Sequence, residues 1–210
     1  MDKQEYWESR YLGEGKIWGE LPSQSAHAAL QLFLTHHVNT VLVPGSGYGR
    51  NTGLFSAAGF DVTGIEISET AYKMAGQFDP RSKFYQGSVL DMSFSKRRYD
   101  AIYCFNVLHL FRRQERELFL YQCIRKLNEP GLAYFTVFAD TESSFGQGQE
   151  TEPNTFESKP GRPVHYFTDS DLRQQFHRFE IIETGIIKDP EDHGGQAHVH
   201  TLRYIFARAK

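Results

Sequence analysis

Three glycines, Gly45, Gly47 and Gly49 of "VPGSGYG", follow directly on the apolar run "TVLVP". A glycine-rich turn after a strand lets backbone approach a nucleotide-like ligand, because no Cβ stands in the way. Further on, Glu66 ends a second apolar run, "DVTGIEIS". A carboxylate at that place can accept both hydroxyls of a ribose in a bidentate contact. This is compatible with NAD and with any other adenosine-containing ligand, while its charge disfavours the 2′-phosphate of NADP. The dinucleotide fingerprint G-x-G-x-x-G is not met, since Arg50 stands where its third glycine belongs. No Tyr-x-x-x-Lys occurs to serve a dehydrogenase, and little length remains for a substrate domain.

The histidines supply the remaining chemistry. His109 follows the fourth apolar run, and His198 lies in "DPEDHGGQAHVH", the expected connection between the last two strands. These two are the candidate bases. His198 and His200 alternate and share one face of a strand. No third ligand is evident beside them, so no metal is expected. His193, in the same connection, and His165, near the end of a polar stretch, are expected near the substrate. Tyr11 and Trp18, among glycines, are expected to form a lid, whereas Trp7 is expected to pack.

The elements that must position these groups alternate. Helices are expected over 2–12 and 24–37, then strands at 39–44, 61–68, "SKFYQGSV", "YDAIYCFNVLHL" and "GLAYFTVF", with helices between them. Leu118, Tyr121, Ile124 and Leu127 give "RRQERELFLYQCIRKLN" a helical apolar side. Thr168 should cap a last helix, and two strands, "EIIETGIIK" and "HTLRYIFARA", close the chain. Strands alternating with helices imply an α/β, doubly wound, mostly parallel sheet. A single domain, residues 1–210, is expected: an N-terminal helical cap (1–37) and a core (38–210) with a long polar loop at 139–167. A connection of that length is often functional.

With the elements in order, "VLVPGSGYGRNTGLFSAAGFDVTGIEISETAYKMA" resembles the first two motifs of class I S-adenosylmethionine-dependent methyltransferases. "FYQGSVLDMSF", "YDAIYCFNVLHLF" and "CIRKLNEPGLAYFTVF" are similar to their third, fourth and fifth motifs. The resemblance covers roughly residues 25 to 210. The N-terminal "YWESRY…WGELP" looks most like the tellurite-resistance and thiopurine methyltransferase groups. It implies a Rossmann-like, seven-stranded sheet with a reversed last strand, S-adenosyl-L-methionine as cofactor, and transfer of its methyl group to a small molecule, such as a thiol or a chalcogen oxyanion. It also implies that Gly45, Ser46 and Gly47 approach the methionine portion and ribose. Glu66 would take the ribose hydroxyls, Ile67 one adenine face, and Ser88 and Val89 the adenine edge. Asn106 would lie near the amino group, and Arg10 or Arg50 would pair with the carboxylate. Two places depart from the pattern: Val43 replaces an acidic residue, and the adenine-facing acid aligns with Ser88 rather than Asp91. The alternatives are a cofactor-binding module without chemistry and an NAD-dependent oxidoreductase.

Composition narrows the classes. The 210 residues carry a net charge of −3, which disfavours a nucleic-acid grip or an anionic membrane surface. "FNVLHL" stands where amino-methylating DNA enzymes carry Asn/Asp-Pro-Pro-aromatic. No apolar stretch reaches spanning length, "MDKQEYWESRYLGEGK" is no signal peptide, and two cysteines form no disulfide framework; a cytoplasmic protein is expected.

Overall fold

β1 (Thr40–Pro44) is short, β-branched and buried, as a strand covered on both faces must be. In the computed structural model, which describes residues 2–193 and 196–210 and the side chains of 2–191 and 198–210, it lies at the centre of a seven-stranded sheet. It pairs in parallel with β2 (Asp61–Glu66) on one side and β4 (Tyr99–Phe105) on the other. β3 (Lys83–Gln86) extends the sheet beyond β2, and β5 (Leu127–Phe138) beyond β4. β10 (Gln196–Ala209) runs antiparallel to β5 and to β9 (Phe179–His193), giving the order β3-β2-β1-β4-β5-β10-β9. The doubly wound sheet with a reversed last strand is therefore present. β9 points the same way as β1, so the tip of the β9–β10 hairpin stands on the edge where β1, β2, β4 and β5 end. In such sheets that edge, at the order reversal beside β1, takes the ligand.

Period-2 alternation splits the core between two faces. Val41, Val43, Ala101 and Tyr103 pack with Phe33 of α2 (Gln24–Thr35) and Phe55 of α3 (Arg50–Ala57). Leu42, Ile102 and Cys104 pack with α5 (Arg113–Lys126) and α6 (Asp169–Gln175). Ser23 caps α2, Ser68 caps α4 (Glu69–Phe78) and Thr168 caps α6, each accepting a bond from the N–H three residues on.

Three expectations need correction. α5 buries Phe119, Leu120 and Cys123; of the expected stripe Leu127 is buried and Ile124 packs on the same core, whereas Leu118 and Tyr121 are exposed. Two apolar stripes are available on that helix, and the guanidinium groups of Arg125 and Arg178 lie over the Tyr121 ring at 5.7 and 6.0 Å. Residues 139–167 are not a plain loop, because β6 (Gln149–Glu152), β7 (Thr155–Lys159) and β8 (Arg162–His165) form a small antiparallel sheet there. Its polar composition hid the strands, which lean on the main body through ion pairs such as Arg112–Glu157 (2.9 Å). "DPEDHGGQAHVH" is mostly strand as well, since β9 and β10 stay paired up to His193 and Gln196.

Candidate active site

The loop after β1 and the end of β2 are joined by one side chain. Glu66 is buried; its Oε2 accepts the Gly47 N–H (2.9 Å) and its Oε1 the Ser68 N–H (2.8 Å). Burial pushes the Glu66 carboxyl up from its usual range, and these N–H donors oppose the shift. Gly45 and Gly47 both hold left-handed backbone, φ 67° and 55°. A Cβ on Gly45 would run into Val107 Cγ2, and one on Gly47 would lie 2.9 Å from Tyr11 Oη. The expected group Gly45, Ser46, Gly47, Glu66, Ile67, Ser88, Val89 and Asn106 all line one cavity of about 510 Å³, as do Arg10, Tyr11 and Trp18. Asn106 is held at φ 55°, with its Oδ1 accepting from Thr136 Oγ1 (3.0 Å). Asp91 instead caps a turn at the surface, accepting the Ser93 N–H (3.0 Å).

α1 (Lys3–Glu14) covers this end. Glu8 accepts from Thr70 Oγ1 (2.6 Å), Ser68 Oγ (2.7 Å) and the Thr70 N–H (3.1 Å), which ties α1 to the N-terminus of α4. These hydroxyl bonds lower its carboxyl pKa, that from Ser68 most. Trp7, Tyr11, Trp18 and Tyr48 form a ring cluster, with Trp18 stacked on Tyr48 at 6.4 Å. Tyr48 Oη donates to Gly19 O (2.6 Å) and accepts the Trp18 N–H (3.1 Å). Burial lifts the Tyr48 phenol to about 12, so it remains a neutral donor. Arg10 pairs with Glu14 (3.1 Å) beside the Trp7 and Trp18 rings. Arg50 is already engaged: it donates to Trp18 O (2.8 Å) and to Glu191 Oε1 (2.5 Å), joining the glycine loop, the N-terminal segment and the hairpin.

The far wall is built differently. After β4 a 3-10 turn, Leu108–Leu110, presents His109, which is buried and stacked on Phe138 at 4.3 Å. Burial holds its imidazole pKa well below the usual value, so the ring is neutral. Its Nδ1 hydrogen-bonds nothing among the described residues. His198 and His200 line the same cavity with Glu191, and the small sheet adds Lys159, Arg162 and Val164. His165, expected near the substrate, does not line it. It is locked between Thr155 Oγ1 (2.8 Å) and Asp171 Oδ2 (2.5 Å), and it joins the small sheet to α6. The side chain of His193 lies outside the described residues. Sequence reasoning passed over Glu8, Tyr48, Glu191 and Phe138. Tyr48 sits inside the glycine motif and Glu191 lies directly opposite His198 across the hairpin, so a pairing register would have revealed the latter.

Among known proteins, residues 42–135 match the family described as "Methyltransferase domain". No curated protein sequence matches significantly. Solved structures share the fold. One, from work on the conversion of a disulfide bond into a thioacetal group during echinomycin biosynthesis, superposes with TM-score 0.80 and 18% identity, covering 99% of this chain and 91% of that one. The Burkholderia thailandensis 1,6-didemethyltoxoflavin-N1-methyltransferase, with its acceptor and S-adenosylhomocysteine bound, gives TM-score 0.73 at 20% identity over 99% and 87%. TehB from Haemophilus influenzae gives 0.66 at 17% over 99% and 67%.

Proposed function

We propose, from the premise that residues 42–135 are a methyltransferase domain set in the class I S-adenosylmethionine-dependent methyltransferase fold, that the protein methylates a small-molecule acceptor carrying a soft nucleophile, a thiol or chalcogen oxyanion. The observation that carries the cofactor reading is the cradle: Glu66 is buried against Gly47 on a ligand-sized cavity, in a loop where a Cβ would collide. Those residues fit the cofactor.

When bound, S-adenosylmethionine supplies a methyl group made electrophilic by its sulfonium. Glu66 accepts the ribose hydroxyls with the lone pairs its backbone donors leave over. Ile67 would cover one adenine face, and Ser88 and Val89 would meet its edge. Gly45, Ser46 and Gly47 bring backbone to the ribose and methionine portion, Asn106 receives the amino group and Arg10 the carboxylate. The Tyr11–Trp18 cover excludes water and offers ring faces to a cation. Alignment of acceptor and methyl group then supplies much of the acceleration, with no obligatory acid–base dyad. A thiolate or reduced oxyanion needs no base. An acceptor that does would find one in His198, or in His109, kept neutral by its burial.

The likeness to a protein from work on a disulfide-to-thioacetal conversion supports a sulfur acceptor. A screen of thiols, tellurite, selenite, phenols and amines for S-adenosylhomocysteine release tests the reading. Turnover is expected with thiols or oxyanions, and turnover confined to amines or phenols would overturn the acceptor class.

A further inference from the structure

The hairpin tip places three metal-ligating side chains on one side of the cavity, outside the cofactor cradle. His198 stands directly opposite Glu191 in the β9–β10 ladder, and His200 follows two residues on along the same face. One ligand atom of each lies within 4.8 Å of the other two. His198 Nε2 and His200 Nε2 are 2.8 Å apart, and Glu191 Oε2 is 3.6 Å from His200 Nε2.

Their orientation is enforced from behind. Glu142 Oε1 lies 3.0 Å from His200 Nδ1, and a carboxylate can only accept, so Nδ1 carries a proton and Nε2, beside His198, is the ring atom placed to ligate. Glu142 is itself buried, with its second oxygen accepting the Thr201 N–H (2.5 Å). A carboxylate backing an imidazole in this way is the usual outer support of a metal-bound histidine. Arg50 performs the matching task for Glu191: it takes Oε1 (2.5 Å) and leaves Oε2 on the histidine side.

We propose that Glu191, His198 and His200 bind a divalent transition-metal ion, such as zinc, iron(II) or cobalt(II), at the acceptor end of the cavity. Two imidazoles and one carboxylate suit these ions rather than calcium or magnesium, which prefer all-oxygen sets. Three protein ligands leave coordination positions for water or for the acceptor. The use made of the ion rests on the proposed function; the site does not. An acceptor thiol or hydroxyl bound to the ion loses its proton to solvent more readily. Its lone pair then forms the bond to the methyl carbon, and the electron pair of the broken C–S bond stays on the cofactor's sulfur, giving S-adenosylhomocysteine.

The test uses the full chain, stripped of metal and titrated with cobalt(II) alone, without cofactor. One equivalent should bind, with visible ligand-field bands that zinc(II) then bleaches. His198→Ala should abolish the bands. Glu142→Gln should weaken binding by roughly 10–100-fold, the usual effect of losing an outer partner. His27→Ala, at an exposed surface histidine, should change nothing. Circular dichroism checks that each variant folds, and His198→Gln replaces any that does not. A cobalt spectrum that stays that of the aqueous ion, or His198 variants that bind cobalt as tightly as the unmodified protein, would overturn the site. Such a result would point to a metal-free Glu142–His200–His198 proton relay. Tight metal binding with unchanged methyl transfer after stripping would overturn the ion's role and leave the site.

Discussion

The two ends of the cavity are made from different kinds of backbone. The proposed cofactor end is carried by the carboxyl ends of three neighbouring parallel strands: Gly45–Gly49 after β1, Glu66 and Ile67 at the end of β2, Ser88 and Val89 after β3. Glu66, Ile67, Ser88 and Val89 all lie within three residues of a parallel strand of the main sheet. The acceptor end is carried by the 3-10 turn after β4, by the small sheet β6–β8 and by the hairpin tip. Those parts attach at the rim, through ion pairs and stacked rings. On the proposed reading, the cofactor is held where parallel strands of the sheet end, while the acceptor meets segments gathered at the rim and at the far end of the β9–β10 pair.

The largest effect expected on the first end comes from Gly47→Val. Its left-handed backbone disfavours a β-branched residue, and the new side chain would press on Tyr11 Oη and fill the cradle. Calorimetric titration with S-adenosylhomocysteine should lose roughly 100-fold or more in affinity, about 2.7 kcal/mol, while circular dichroism stays native. Normal affinity would reduce the loop to a plain turn.

Next comes Glu66→Ala, which removes the ribose acceptor and frees the Gly47 and Ser68 N–H groups together. The expected loss is about 1.5–3 kcal/mol of binding free energy. The unmodified protein should also lose cofactor affinity on acidification before an ordinary carboxylate would titrate, since burial raises this group's pKa and the hydroxyls need its ionised form. An affinity independent of pH on the acid side would show that Glu66 does not hold the ribose.

This same contrast decides what the sequence could reveal. Gly45, Gly47 and Glu66 announce themselves because a strand pattern, a glycine spacing and a carboxylate at a strand end are all local signals. Thr168 could be read as a cap for the same reason. The stripe on α5 was misread because Leu118 and Phe119 belong to rival faces, and only the sheet decides between them. β6–β8 escaped notice because a rim sheet rich in Glu, Gly and Pro carries little apolar alternation. The third member of the His198–His200 group could not be named without the register that sets Glu191 opposite. His165 looked like a site residue, yet its partners Thr155 and Asp171 come from two other elements.

Trp18→Ala tests whether the N-terminal cover belongs with the first end or is packing alone. Loss of its stacking on Tyr48 should lower the melting temperature by a few degrees, as about 1 kcal/mol does in a chain of this size. Turnover should fall several-fold more than that instability explains, and amides of residues 8–20 should gain hydrogen-exchange protection with S-adenosylhomocysteine. Identical exchange with and without the ligand would assign the segment to packing only.

The last effect concerns the acceptor end and separates it cleanly from the first. His109→Phe keeps a ring stacked on Phe138 but removes a titratable group that the fold holds neutral. In the unfolded chain this histidine titrates near 6.5, whereas its folded pKa is depressed by burial. Above that pH both states carry neutral rings and its titration contributes no slope. As pH falls below it, the unfolded chain takes up a proton that the folded protein refuses, so stability declines by at most about 1.4 kcal/mol per pH unit for one such group. His165, also depressed by burial, contributes in the same direction and stays in the variant. Urea unfolding at several pH values between 7.5 and 5 should therefore show a shallower acid-side decline for His109→Phe, without abolishing it. S-adenosylhomocysteine affinity should be unchanged, because His109 sits on the far wall of the cavity, stacked on Phe138. An acceptor that needs a base should show a lowered kcat in the variant, and a thiolate should not. Equal acid-side slopes for the two proteins would mean that the folded protein protonates His109 as easily as the unfolded chain does, and its place as a neutral buried ring would be lost.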